Sequence, residues 1–301
     1  MKTKTFFAAL AACVMMASCS KDASDDVNVP NGSPVEPTEV TLTFSSYDVS
    51  PMGGETRGAM RRAPMGGETR GAMRRAPVSI AAVTSHLDVW FYEGGSEVEA
   101  VHQSSTDDGF GTVSITLDKT KTYTLYAVAH KADGATLSDG VIAFTDDKVT
   151  HSMFYTTTFS PRTTTNLNCE MTRIVADFRL EITDDIPAEC KSFRFTVNGI
   201  FDRWNVTTGG THSLDRVSTI NYGGTSSIFN VYAIVTDAET THDITVTALN
   251  ADNQPIQTRT FAAVPLRNGY KTTYRGTFFI DTPMSMSFTV NDWNEYDTVE
   301  F

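Results

Sequence analysis

The sequence predicts an all-β protein, built as two antiparallel β-sandwiches in tandem. Three observations carry this. From about residue 78 onward apolar side chains recur with period two, in short runs separated by Gly, Asp, Asn, Pro and Ser. No run shows a helical stripe long enough to make a helix. The pattern breaks at Ser160-Pro161-Arg162-Thr163-Thr164-Thr165 and then restarts, which places a domain boundary there. Each sheet must cover its apolar face with another, and two sandwiches are the economical way to do so.

The elements follow in order. Lys2 and Lys4 precede a short apolar core over residues 6–16, and Ala17 and Ser18 lead into Cys19. That order reads as a secretory signal over 1–18 ending in a lipobox, with cleavage between Ser18 and Cys19 and a diacylglyceryl thioether on the Cys19 sulfur. The apolar run is shorter than the roughly 20 residues that span a bilayer. More than one acyl chain, palmitate among them, anchors stably where a single chain does not. Residues 19–36 are rich in Asp, Ser, Asn and Pro, the composition of a disordered tether. Within them Ser20-Lys21-Asp22 and Asp25-Asp26 resemble the acidic export signal of surface lipoproteins in the Bacteroides group.

The first sandwich is expected over 37–165. Val40, Leu42 and Phe44 alternate with Thr41 and Thr43 as a first strand. Residues 51–63 read PMGGETRGAMRRA and 64–76 repeat them unchanged. A copy this perfect, with no further period, is a duplication rather than a solenoid repeat. Its glycines disfavour both helix and strand. Arg57, Arg61, Arg62, Arg70, Arg74 and Arg75 concentrate there, so the stretch is a basic linker, a tether docking on acidic polysaccharide, or a cutting site for a trypsin-like, Arg-specific protease, with Arg57, Arg62, Arg70 and Arg75 as candidates. Strands are expected at 87–92, 113–117, 123–128, 141–144 and 153–159, with a turn at Asp107-Asp108-Gly109.

The second sandwich is expected over 166–301. Ile174, Ala176, Phe178, Leu180 and Ile182 share one face, and Asp177, Arg179 and Glu181 share the other, which reads as a strand with one wet side. Phe193, Phe195 and Val197 bury next, then Phe229, Val231 and Ala233. Ile244, Val246 and Ala248 lead into the Asn250-Ala251-Asp252-Asn253 turn. The segments 274–280 and 287–290 complete the set.

A formal net charge of -12 argues against nucleic acid, whose phosphates demand a basic face. Of the four cysteines, Cys13 leaves with the signal and Cys19 takes the lipid. Cys169 and Cys190 are open to a disulfide or to two buried thiols. His86, His102, His130, His151, His212 and His242 are scattered singly, with no metal-ligand spacing, and no nucleophile elbow, P-loop or dinucleotide fingerprint occurs. The Asp pairs at 107–108, 146–147 and 184–185 stand at turns. Trp204, Tyr222 and Trp293 are read as core rather than as a sugar-stacking set. Neither an enzyme nor a cofactor or metal requirement is expected.

Several phrases together resemble the FimB/Mfa2 family of fimbrial subunits. They are Asp107-Asp108-Gly109-Phe110-Gly111, the run from Tyr123 to His130, the run from Met171 to Leu180 followed by Ile186-Pro187, and Val264-Pro265-Leu266-Arg267-Asn268 before Tyr274. The resemblance implies two transthyretin-like sandwich domains and a structural place in a type V pilus, held to the outer membrane and exposed at the cell surface. It also implies partners of its own kind, joined by donor-strand exchange. Stalk members are cut after an Arg, which removes a first strand, whereas anchor members keep their lipid. The tail 284–301 extends past the closing strand and is a candidate donor. A glycan-binding surface lipoprotein is the alternative reading.

Overall fold

The computed structural model describes residues 35–46, 78–236, 238–280 and 287–292. The regular structure among them is strand, apart from 3₁₀ turns at Ile80–Ala82 and Thr145–Asp147. The first nine strands are β1 (Pro37–Ser46), β2 (Val78–Ser79), β3 (His86–Glu93), β4 (Ser96–Ser104), β5 (Thr112–Asp118), β6 (Tyr123–His130), β7 (Ala135–Ser138), β8 (Val141–Phe144) and β9 (Met153–Phe159). Then come β10 (Asn166–Arg173), β11 (Ala176–Ile182), β12 (Ser192–Asn205), β13 (Gly209–Asn221), β14 (Ile228–Ala233), β15 (Thr240–Leu249), β16 (Pro255–Leu266), β17 (Tyr270–Gly276) and β18 (Ser287–Asp292).

An eight-stranded sheet runs β2-β1-β10-β9-β6-β3-β4, with β5 also on β1. Its two halves meet only where Thr172 and Arg173 of β10 pair with Phe154 and Met153 of β9. The sheet folds about that corner, so that β1, β5 and β10 face β3, β6 and β9 across a core that includes Leu42, Phe44, Val89, Phe91, Leu125 and Cys169. A six-stranded sheet, β16-β15-β12-β8-β7 with β13 on β12, packs on a four-stranded sheet, β14-β11-β17-β18. Between them lies a second core centred on Phe178, Phe193, Phe195, Phe229 and Phe261. A third cluster joins Trp90, Val128 and Phe154 to Ile142, Phe144, Trp204 and Ile234.

Four expectations are corrected here. The pairing is not purely antiparallel: β1 runs parallel to β10 and β11 parallel to β17. Long stretches of chain separate the members of each pair, as a parallel neighbour requires. The face of β11 carrying Asp177 and Arg179 is not wet, because both are buried. The strand is internal, and Lys271 of β17 stands opposite Asp177 with Nζ 4.0 Å from its carboxylate, while Arg179 Nε lies 2.8 Å from Glu181. Polar alternation here records ion pairing along a covered face. The hairpin of β7 and β8 leaves the first sandwich and pairs with the far end of β12. The length of β12 allows it: a bulge between Val197 and Ile200, where Gly199 takes φ +66°, lets the strand pair with β15 before the bulge and β8 after it. Finally, the strand expected at 274–280 is β17, which starts at Tyr270 and ends at Gly276.

By sheet membership the chain passes from the first core to the second at Ile174 and Val175, since β10 still pairs with β1 and β9. Among the described residues, no helix is long and apolar enough to cross a membrane.

Candidate strand-insertion site

The site is the slot that β1 occupies. Apolar and Thr residues alternate along it, so Val40, Leu42 and Phe44 point into the first core and are 0–1% exposed. On one side Pro37 to Thr43 pair antiparallel with β5, and Ser45 and Ser46 with β2. On the other, Thr41 to Ser46 pair parallel with β10. A strand bonded on both edges and buried on one face is hard to lose. Each large side chain contributes about 1.5–3 kcal/mol by burial, and each ladder hydrogen bond about 1 kcal/mol net.

Both ends of β1 are fixed. At the start, Glu36 accepts from the Lys119 amide at 2.9 Å and its carboxylate pairs with the Lys119 ammonium. Near the other end, the Phe44 amide donates to the Gly111 carbonyl at 2.8 Å. Gly111 has φ +87°, and a Cβ there would meet the Ile80 side chain at 3.2 Å, so the turn needs glycine. Ser46 is buried and lines a cleft of about 470 Å³ with Met153, Met171, Arg173 and Arg267.

Ser46 is the Cα partner of Val78, so the chain leaves β1 and returns as β2 at one place on the sheet. The duplicated segment and its candidate arginines Arg57, Arg62, Arg70 and Arg75 lie outside the described residues, as do Ser18 and Cys19. Their two flanking strands are adjacent all the same. A single cut anywhere in 47–77 would therefore separate β1 from the body covalently while leaving β2 in place.

The thiols are resolved: Cys169 and Cys190 are both free and buried, one in each core. Cys169 stands beside Phe44 in the β1–β10 register, and burial pushes its thiol up to about 12. Trp204 is buried in the third cluster, so it offers no stacking face, and Trp293 lies outside the described residues. Part of the tail is described. Ser287 to Asp292 form β18 on the outer edge of the four-stranded sheet, paired only with β17 among the described residues.

Two clusters escaped the sequence reading. Asp88 is buried and receives Nδ1 of His102 at 2.5 Å and Nε2 of His130 at 2.6 Å, with His86 stacked on His130. Scattered in sequence, these residues meet because β4, β3 and β6 are neighbours. They tie a buried carboxylate to both adjoining strands, and no group of three or more metal-binding side chains is assembled among the described residues. The second cluster is a clamp. Asp184 accepts from the amides of Phe278, Phe279 and Ile280 at 2.7, 2.7 and 3.0 Å. Arg259 donates to the carbonyls of Phe278 and Ile280 at 2.6 and 2.8 Å. Burial raises the Asp184 carboxyl, but the amide donors outweigh it and hold it below the usual carboxylate range. The Asp184-Asp185 turn was legible; its backbone partners, some ninety residues on, were not.

No family model matches the chain, and no curated protein matches it. Its fold is similar to several solved structures. The fimbrial anchor protein Mfa2 from Porphyromonas gingivalis is 10% identical, with TM-score 0.47, over 85% of this chain and 98% of that one. A fimbrial assembly protein from Parabacteroides distasonis is 11% identical, with TM-score 0.43, over 85% and 96%. A candidate adhesin from Bacteroides thetaiotaomicron is 12% identical, with TM-score 0.48, over 87% and 98%. The family that the sequence resembles is thus represented among the structures to which this chain is similar.

Proposed function

We propose that the chain is a structural subunit of a cell-surface fimbria, exported as a lipoprotein on Cys19 and joined to its neighbours by strand insertion. The observation that supports this is the placement of β1. It is an internal strand whose apolar side chains complete the first core, and it is tied to the body only through the segment that contains the duplicated arginines. Cleavage after Arg57, Arg62, Arg70 or Arg75, followed by loss of β1, would leave unpaired edges on β5 and β10 above an apolar floor. Such an edge is aggregation-prone alone and is satisfied by a donor strand from another subunit. The two sandwiches are taken as two transthyretin-like domains, the first accepting the donor.

Uncut, the same chain is a complete fold with its lipid still attached, which is the form that would hold a fibre to the outer membrane. The amino-terminal residue of the protein recovered from assembled fibres separates these roles. A start at Gly58, Ala63, Gly71 or Ala76 is expected for a polymerising subunit. A lipidated chain beginning at Cys19 would assign it to the base, and a protein absent from fibres altogether would remove the proposal.

A further inference from the structure

The edge strands β13 and β14 belong to different sheets, and a cleft of about 430 Å³ opens between them beneath the 146–150 segment. Arg216 of β13 and Asn230 of β14 line it. Arg216 gives its Nε to Ser218 Oγ at 3.4 Å, but among the described residues its Nη1 has no hydrogen-bond partner, and neither has Asn230 Oδ1. Both atoms are shielded from bulk water, where an unmet donor or acceptor is costly.

Neighbouring carboxylates do not supply the missing partner. Asp202 is bonded to His212 at 2.7 Å, and Asp147 faces Arg203 at 3.9 Å. Lys148 and Asp146 also line the cleft, a second cation beside a carboxylate. A second cleft of about 450 Å³ shares Ile220, Asn230 and Tyr232 with the first and carries Tyr222 at its far end. Each volume falls within the usual range of small-ligand sites.

We propose that this groove binds an acidic saccharide, with Arg216 taking the carboxylate and Asn230 accepting from a sugar hydroxyl. A guanidinium fork matches a carboxylate in geometry. Tyr232 and Tyr222 line the groove, Tyr222 packed on Phe193 and Phe229 and Tyr232 on His151, and Ser218 and Thr150 supply further hydroxyls. The site is separate from the slot of β1, so it stands or falls independently of strand insertion.

The test uses the full-length protein in detergent, with methyl β-glucuronide and methyl β-glucoside as probes that differ only in the carboxylate. The glucuronide is expected to shift the Arg216 Nε–H resonance and to bind more tightly than the glucoside. Arg216→Gln should lower that affinity roughly tenfold or more, and Arg216→Lys, which keeps the charge and the stem, should lower it in the same direction. Equal affinity for the two sugars, or an Arg216 resonance unmoved at saturation, would overturn the assignment. So would preferential binding of a Glu-rich peptide over the glucuronide.

Discussion

The described chain begins and ends in strands that are held in opposite ways. β1 is internal, paired with β5 and β2 on one side and β10 on the other, and its apolar residues complete a core. β18 pairs only with β17 among the described residues, and its Ser287 and Thr289 side chains are exposed. The attachments are inverted as well. The deeply seated strand is joined to the body through the Gly- and Arg-rich duplication, whereas the edge strand follows a stem clamped by Asp184 and Arg259. Position in a sheet and covalent security are thus separate properties. A strand can be indispensable to packing and still be the one that a single cut sets free.

The largest effect should come from the first core. Phe44→Ala removes a fully buried ring from β1 and is expected to cost about 3–5 kcal/mol, read as a drop in the urea midpoint. A cost below about 1 kcal/mol would mean that β1 does not complete the core. The thiols sharpen the point. In the intact protein neither Cys169 nor Cys190 should react with a thiol reagent, since both are buried and the raised Cys169 thiol supplies almost no thiolate. After trypsin has nicked the Arg-rich segment, rising urea should expose Cys169 first, as β1 leaves β10, with Cys190 protected until the second core opens. Simultaneous labelling would show that β1 cannot leave by itself.

How much of this was legible follows from what each strand faces. β1 and β15 bury one face against a core, and their apolar alternation shows it, whereas β3 is covered on both faces and reads as a nearly unbroken apolar run. β13 was missed because it is an edge strand without a fully buried residue: exposure alternates along residues 213–221, but the half-buried face carries Arg216 and Ser218 while Val217 is exposed, so the sequence shows no apolar period. Asp177 and Arg179 misled because the sequence records polarity and not cover. The hairpin of β7 and β8 could not be assigned to the second sandwich, since its partner on β12 lies some sixty residues away and depends on a bulge at Gly199. Local pattern reached strands and turns; it did not reach the pairings that bring Asp88 to His130 or Asp184 to Phe278.

The clamp predicts an intermediate effect with a definite pH dependence. Asp184→Ala leaves three amides without their acceptor and is expected to cost about 1–3 kcal/mol. The folded carboxyl is held below its unfolded value of about 3.9. Its contribution is therefore complete above that pH and is lost as pH falls through the folded value. Melting curves of the native protein and of Asp184→Ala should differ by a constant amount from pH 7 to about 5, then converge on further acidification. A gap that stayed constant to pH 2.5 would mean that the charge on Asp184 is not what holds residues 278–280.

The smallest effect is expected on β18. Thr289 stands opposite Thr273 of β17, with its side chain in solvent. Thr289→Ala therefore loses only strand preference at an edge, where the penalty is small and dependent on context. A change within about 0.5 kcal/mol is expected, against several for Phe44→Ala under the same conditions. Hydrogen exchange gives the second reading: amides of β17 that face β18 should exchange faster in the variant, while those of β11 keep their protection. If Thr289→Ala instead costs as much as Phe44→Ala, the edge strand is integral to the second core, and the contrast between the two ends of the chain collapses. If it costs little, β18 is a strand that the second sandwich keeps without depending on it, and its departure would leave the clamp and the core behind it intact.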